Sequence, residues 1–478
     1  MKRNLSLLTD FYQLTMSNGY FIDGLKDQEV IFDMFFRSIP DDGGYAIMCG
    51  LEQVIEYIND LHFDKEDIEF LRSKKIFDEG FLDYLSNFKS HLSIYAIKEG
   101  TPIFPGEPII KVVGPMIECQ LIETMILLTI NHQSLIATKT SRIIKAAKGR
   151  GVMEFGSRRA QGYDAANFGA RAAYIAGASA TANTLADKMF DTPAIGTMAH
   201  SYIQVYEDEY TAFLKYAKTY PDNTVLLVDT YNVLKSGVPN AIKVAKEYLI
   251  PNGYRLKGIR LDSGDLTYLS KKARKMLDEA DLEDCKIVVS NSLDEYTITS
   301  LLNQGACIDS FGVGERLITA KSEPVFGGVY KLSAVKENGI FMPRIKISEN
   351  VDKITNPADK DLVRIYDLDT NKAIADVLLV NGEMIDETKP YEIFDPINTW
   401  KRKTITNFKV KRLLTPIFID GKQVYESPSV KEIREYCKQE LDTIFEETKR
   451  FENPQVYYVD LSQKLWDIKY SMLEKKGH

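Results

Sequence analysis

The chain has 478 residues, of which 44% are hydrophobic and 27% charged, an ordinary globular usage that excludes a disordered, fibrous or low-complexity protein. At roughly 150 residues per domain this length holds about two or three domains. A formal net charge of −8 repels nucleic acid and anionic membrane, so neither is an expected partner, although a local basic pocket for a small anion stays open. The five cysteines, at 49, 119, 285, 307 and 437, include no CxxC pair. Their odd number and wide spacing predict reduced thiols in a cytoplasm, with neither a disulfide frame nor a cysteine-rich zinc site. The first ten residues reach Asp10 before an apolar core forms, so no signal peptide is expected. Apolar runs such as Met125-Ile126-Leu127-Leu128 fall far short of the ~18 residues that a membrane span needs.

In chain order, a helix is predicted over 10–20, a strand over 30–37, a turn at Gly43-Gly44 and helix over 51–61. Short strands follow over 92–118, punctuated by Gly100, Pro102, Pro105-Gly106 and Gly114-Pro115. Residues 1–140 therefore read as an N-terminal α+β domain. Over 141–340 the pattern changes to short β-branched runs, at 151–155, 224–228, 258–261, 286–290 and 308–313, alternating with helical stretches at 238–248, 265–280 and 294–304. That rhythm of βα units predicts a parallel sheet. Apolar strands covered on both faces fit either an open doubly wound sheet or a closed barrel. The polar and glycine residues directly after the strands, Asp229-Thr230, Asp262-Ser263-Gly264-Asp265, Asn291-Ser292 and Gly314-Glu315-Arg316, favour the α/β barrel, whose functional loops ring the strand C-termini. Beyond 340 the chain returns to short β segments and a charged helix over 430–450. Residues 341–478 are expected to pack back on the N-terminal domain.

The Asp262-Ser263-Gly264-Asp265 turn offers two carboxylates, a hydroxyl and a glycine at the start of a helix, groups that suit ribose hydroxyls, phosphate oxygens and a Mg²⁺ shared with pyrophosphate. The same residues also serve as ordinary helix caps. Gly312-Val313-Gly314 ends a strand, where backbone N–H groups can form an anion nest or simply a turn. Phe155-Gly156-Ser157-Arg158-Arg159 places two arginines at a strand end of an acidic protein, a pairing suited to bidentate recognition of a carboxylate or phosphate. Of five histidines, His200 is approached by the small residues of Gly196-Thr197-Met198-Ala199 and followed by Ser201, which gives a substrate access to the ring.

Taken together and in order, Thr9-Asp10-Phe11-Tyr12-Gln13-Leu14-Thr15-Met16, Phe35-Phe36-Arg37 with Gly43-Gly44-Tyr45, Glu154 to Gly162, Gly196 to Ser201 and Gly327-Gly328-Val329-Tyr330-Lys331-Leu332 resemble the nicotinate phosphoribosyltransferase family over almost the whole chain. The resemblance implies an irregular (β/α) barrel with an N-terminal α+β domain and a C-terminal extension packed against it. It implies a homodimer with shared active sites that joins nicotinate to phosphoribosyl pyrophosphate, with Mg²⁺ and with ATP as co-substrate, yielding nicotinate mononucleotide and pyrophosphate. By that resemblance His200 is the residue phosphorylated by ATP, with Ser201 beside it. Arg158, the arginine of a Phe-Gly-x-Arg motif that begins at the substrate-binding Phe155, or Arg159 clamps the nicotinate carboxylate, and Tyr12 stacks on the pyridine ring from the neighbouring subunit. Arg260, Asp262, Ser263 and Gly264 match the ribose and pyrophosphate site, with Asp262 placed among the catalytic groups, and Gly312 and Gly314 match the 5′-phosphate loop. Glu315 and Arg316 depart from relatives at that loop. Two other readings remain: a nicotinamide phosphoribosyltransferase, which the arginine pair argues against, and a non-catalytic metabolite-binding dimer.

Overall fold

The computed structural model describes residues 3–350 and 353–476. The chain forms two compact units, one of residues 136–324 and the other of residues 1–135 together with 325–478.

The first unit is built on a six-stranded parallel sheet: β1 (Gly151–Glu154), β2 (Ala180–Thr181), β3 (Val225–Leu227), β4 (Gly258–Leu261), β5 (Lys286–Ser290) and β6 (Ser310–Val313). Their spatial order is β2-β1-β6-β5-β4-β3, every pairing parallel. The sheet curls into a half-barrel whose edges, β2 and β3, do not pair with one another. The barrel expected from the sequence is thus irregular and open. β2, two residues long, lies outside the predicted strands because it is too short to show a periodic pattern. One face of the sheet is fully covered, since Ile259, Leu261, Ile287, Val289, Phe311 and Val313 have no accessible surface, while Arg260 and Val288 on the other face are partly exposed. Helices Leu266–Asp278 and Glu295–Asn303 follow β4 and β5. The helix predicted over 238–248 is α-helical from Val238 to Val244 and opens into a wider turn over Ala245–Leu249.

The other unit holds a seven-stranded antiparallel sheet in the order 340–343, 329–337, 29–35, 110–115, 93–96, 415–419, 422–423. Three N-terminal strands form its centre, and strands from beyond residue 328 flank them on both sides. Val30 lies opposite Val335, from a strand expected within the 141–340 barrel, and Tyr95 opposite Pro416, where the segment after 340 packs on the N-terminal one through backbone hydrogen bonds. A second sheet, 408–412, 360–367, 373–380 and 458–461, buries Arg364 against Asp376 at 2.7 Å with neither side chain exposed. Helices Phe11–Ile22, Lys65–Ser73 and Glu79–Ser86 close a separate apolar cluster around Leu14, Phe63, Leu71 and Phe81. The helix predicted over 430–450 ends at Thr443, because Ile444 is fully buried in an extended conformation, and a further helix, Gln463–Lys476, closes the chain.

Candidate active site

The polar groups that the sequence placed after successive strands converge at the C-terminal ends of β3, β4 and β5. In β4 the period of two sends Ile259 and Leu261 into the core and Arg260 to the other side. Gly264, at φ +81°, turns the chain into the next helix, a conformation that costs glycine nothing. Asp265 is the cap of that helix, accepting from Tyr268 N at 3.0 Å. The capping role open to all three polar residues of the turn thus belongs to Asp265, which leaves Asp262 and Ser263 for the site.

Asp262 receives Arg260 Nη2 at 3.0 Å and the Ser290 hydroxyl on the same oxygen, Oδ1, while Ser290 Oγ accepts from Arg260 Nε at 2.9 Å. Arg260 also donates through Nη1 to Thr197 Oγ1 at 3.2 Å. Its guanidinium is held on three sides by side chains and lies 5.8 Å from the centre of the Phe155 ring. Asp229, one residue beyond β3 and Val228, accepts from Asp262 N at 2.8 Å and Ser263 Oγ at 2.6 Å. Its other oxygen, Oδ1, is buried without a hydrogen-bond partner. His200 opens a five-residue helix, with Nδ1 3.0 Å from Thr230 Oγ1. Its Nε2 looks onto both carboxylates, 3.9 Å from Asp229 Oδ1 and 4.0 Å from Asp262 Oδ2. His200 is therefore no isolated histidine: one hydroxyl and two acids, from the ends of β3 and β4, set its ring. Ser201 is exposed in the first turn of the same helix.

A second group lies at the ends of β1 and β6. Phe155 N donates to Val313 O at 2.7 Å, and Gly312 leaves room for the Phe155 ring, since a Cβ there would stand 2.6 Å from Phe155 Cδ2. Gly314 precedes the short helix Glu315–Ile318. Arg158 and Arg159 share one 3₁₀ turn, Ser157–Arg159, and both are exposed. Arg159 Nε is 3.9 Å from Glu315 Oε2, and Glu315 also pairs with Lys321 at 2.7 Å. Among the described residues Arg158 has no hydrogen bond or ion pair. Arg316 is tied to Asp294, the cap of helix Glu295–Asn303, which explains why an arginine stands there. Below the turn Glu154, fully buried, takes the Gly156 N–H and the Thr181 hydroxyl, the latter at 2.6 Å. Burial raises its carboxyl above the usual carboxylate range.

Tyr12 belongs to the other unit, half exposed on helix Phe11–Ile22. Sequence reasoning missed Asp229, Thr230, Thr197, Ser290 and Glu154 as site residues. The signal for the first pair was present: Asp-Thr directly after the apolar run at 224–228.

A parallel α/β half-barrel whose strand ends gather an arginine, paired acids and a histidine, in one chain with an antiparallel α+β unit, has the plan of a type II phosphoribosyltransferase. Family models described as the nicotinate phosphoribosyltransferase N-terminal domain, family and C-terminal domain match residues 7–131, 151–360 and 359–469. The chain is 45% identical over 474 residues to a nicotinate phosphoribosyltransferase of Bacillus subtilis, covering 99% of this chain and 96% of that one. It is 37% identical to one of Dictyostelium discoideum, covering 98% and 88%. The crystal structure of human nicotinic acid phosphoribosyltransferase superposes with a TM-score of 0.85 at 29% identity, over 98% of this chain and 100% of that one. The chain belongs to the nicotinate phosphoribosyltransferase family, enzymes of NAD biosynthesis that act on nicotinate and phosphoribosyl pyrophosphate.

Proposed function

We propose that this transferase couples transfer to ATP through a phosphohistidine at His200, works with Mg²⁺, and acts as a cytoplasmic homodimer that shares its active sites. The observation that carries the reading is the His200 environment. The Thr230 hydroxyl stands 3.0 Å from Nδ1, and the carboxylates of Asp229 and Asp262 face Nε2 at 3.9 and 4.0 Å, so the ring is oriented on one side and faces two acids on the other. Attack by a ring nitrogen lone pair on the γ-phosphorus of ATP forms the N–P bond, breaks the bond to the leaving oxygen of ADP, and leaves positive charge on the ring that the two carboxylates stabilise.

Among the described residues no cluster of three or more His, Cys, Asp or Glu makes a self-contained metal centre. Asp229 Oδ1, which takes no hydrogen bond, and Asp262 Oδ2 nevertheless have the chemistry that would hold Mg²⁺, an ion that takes one or two carboxylates beside substrate phosphates and water. An ion held by these two carboxylates would supply neutralising charge for the departing pyrophosphate. Arg260, Ser263 and Gly264 receive the ribose and diphosphate, and the Gly312 to Gly314 segment receives the 5′-phosphate. Arg158, free of protein partners, clamps the nicotinate carboxylate, and Arg159, beside Glu315, supports it. Tyr12, supplied by the neighbouring subunit, stacks on the pyridine ring. The pyridine nitrogen already carries a lone pair, so transfer to C1 of the ribose needs positioning and electrostatics rather than a general base. His200→Ala is expected to abolish ATP dependence and leave slow uncoupled transfer. Full ATP dependence in that variant would remove His200 from the role.

A further inference from the structure

Thr197 stands in the irregular segment that leads to His200, and both of its polar ends are engaged. Its hydroxyl accepts from Arg260 Nη1 at 3.2 Å, and its carbonyl accepts from the Tyr216 hydroxyl at 3.3 Å. Arg260 is also bound to Asp262 and Ser290, so Thr197 is where the segment carrying His200 meets the arginine of the ribose and pyrophosphate site. A hydrogen bond from a guanidinium is charge-assisted and directional, and it reports the position of the guanidinium to whatever accepts it. A diphosphate drawing on the Arg260 charge therefore acts on the segment that carries His200.

We propose that Thr197 is a positioning residue that couples occupancy of the phosphoribosyl pyrophosphate site to use of the phosphoryl group at His200. This rests on the ATP-coupled reading above. Thr197 touches no reacting atom: it acts through Arg260 on one side and the backbone leading to His200 on the other. The arrangement separates coupling from chemistry, because His200 keeps Thr230, Asp229 and Asp262 when the Thr197 hydroxyl is removed.

The test compares wild type, Thr197→Val, Thr197→Ala and Thr197→Ser for ADP released per mononucleotide formed, across concentrations of phosphoribosyl pyrophosphate. Thermal unfolding of each variant serves as the folding control. In wild type, ADP release is expected to rise with phosphoribosyl pyrophosphate and to track product. The valine and alanine variants are expected to release ADP in excess of product, with KM for phosphoribosyl pyrophosphate raised on the order of tenfold, the worth of one charge-assisted hydrogen bond. The serine variant, which keeps the hydroxyl, is expected to restore the ratio. A wild-type ratio in folded valine and alanine variants would overturn the proposal, as would a fall in kcat with the ratio intact, the signature of a merely structural residue. If wild type forms mononucleotide without ADP, the ATP-coupled reading itself fails, an outcome distinct from the other two.

Discussion

Asp229 is the residue on which both halves of the site rest. One oxygen holds Asp262 N and Ser263 Oγ, and the other is turned toward His200 Nε2. Asp229→Asn keeps an acceptor for the first pair and removes the charge from the ring. The variant is expected to fold normally and lose about 10²-fold in ATP-dependent kcat, as loss of one electrostatic contact to a developing charge does. Steady-state rates with and without ATP check it; an unchanged coupled rate would remove Asp229 from the mechanism. The two arginines separate in the same way. Arg158→Ala is expected to raise KM for nicotinate by roughly 10- to 100-fold, the range of a lost carboxylate pair, and Arg159→Ala by clearly less. Equal effects would show that both clamp the ring acid. His200 and Arg158 were legible because their motifs are local, whereas Arg260 came only from the family resemblance. Thr197 and Ser290 were not legible, because each acts through a partner far along the chain, Arg260 and Asp262, and a single sequence does not carry such pairings; Asp229 stood in view as Asp-Thr after a strand, but its pairing with Asp262 and Ser263 did not.

Elements explain why these side chains meet. Parallel strands at adjacent positions bring residues from distant loops to one edge, and short caps fix where each loop begins. Asp265 is such a cap, so Asp265→Ala is expected to cost about 1 kcal/mol of stability, read by denaturant unfolding, while KM values stay near wild type. A large loss of activity without loss of stability would instead assign Asp265 to the site. Gly312 tests the opposite face of the argument. Its backbone is ordinary strand, and what it supplies is room for the Phe155 ring, which packs toward Arg260. The sequence pointed to this glycine through the Gly312-Val313-Gly314 spacing, while the packing reason appears only in three dimensions. Strand positions and the βα rhythm were readable from apolar runs. The two-residue strand Ala180–Thr181 and the last helix, Gln463–Lys476, were not, the one too short for a period and the other only weakly amphipathic.

At the scale of the whole molecule, the ends of the chain are bound into one unit, and its buried charges make stability depend on pH. Burial, with the Asp395 carboxylate nearby, pushes Asp460 up to about 7 from its ordinary value of 3.8. Across that window the folded chain keeps a proton that the unfolded chain gives up, so stability falls as pH rises from about 4 to about 7 and levels off above. Asp460→Asn removes this dependence. Its advantage in Tm over wild type is expected to grow between those pH values and then hold constant; an advantage independent of pH would contradict the assignment. Shared active sites have their own signature. Phe11 and Tyr12 are about half exposed on the first helix, a face that a partner subunit would cover. Mixing Tyr12→Ala and His200→Ala, each expected to lack ATP-coupled turnover, under exchange conditions is expected to restore part of the ATP-coupled activity, because a hybrid dimer carries one intact site. No recovery in proven hybrids would place Tyr12 outside the neighbour's site.

The most direct test of the account is mononucleotide formation from phosphoribosyl pyrophosphate and Mg²⁺ with nicotinate or nicotinamide, with and without ATP, while ADP is followed. The account expects turnover selective for nicotinate, stimulated by ATP and accompanied by ADP. A preference for nicotinamide would contradict the role given to Arg158, and nicotinate turnover indifferent to ATP would contradict the role given to His200.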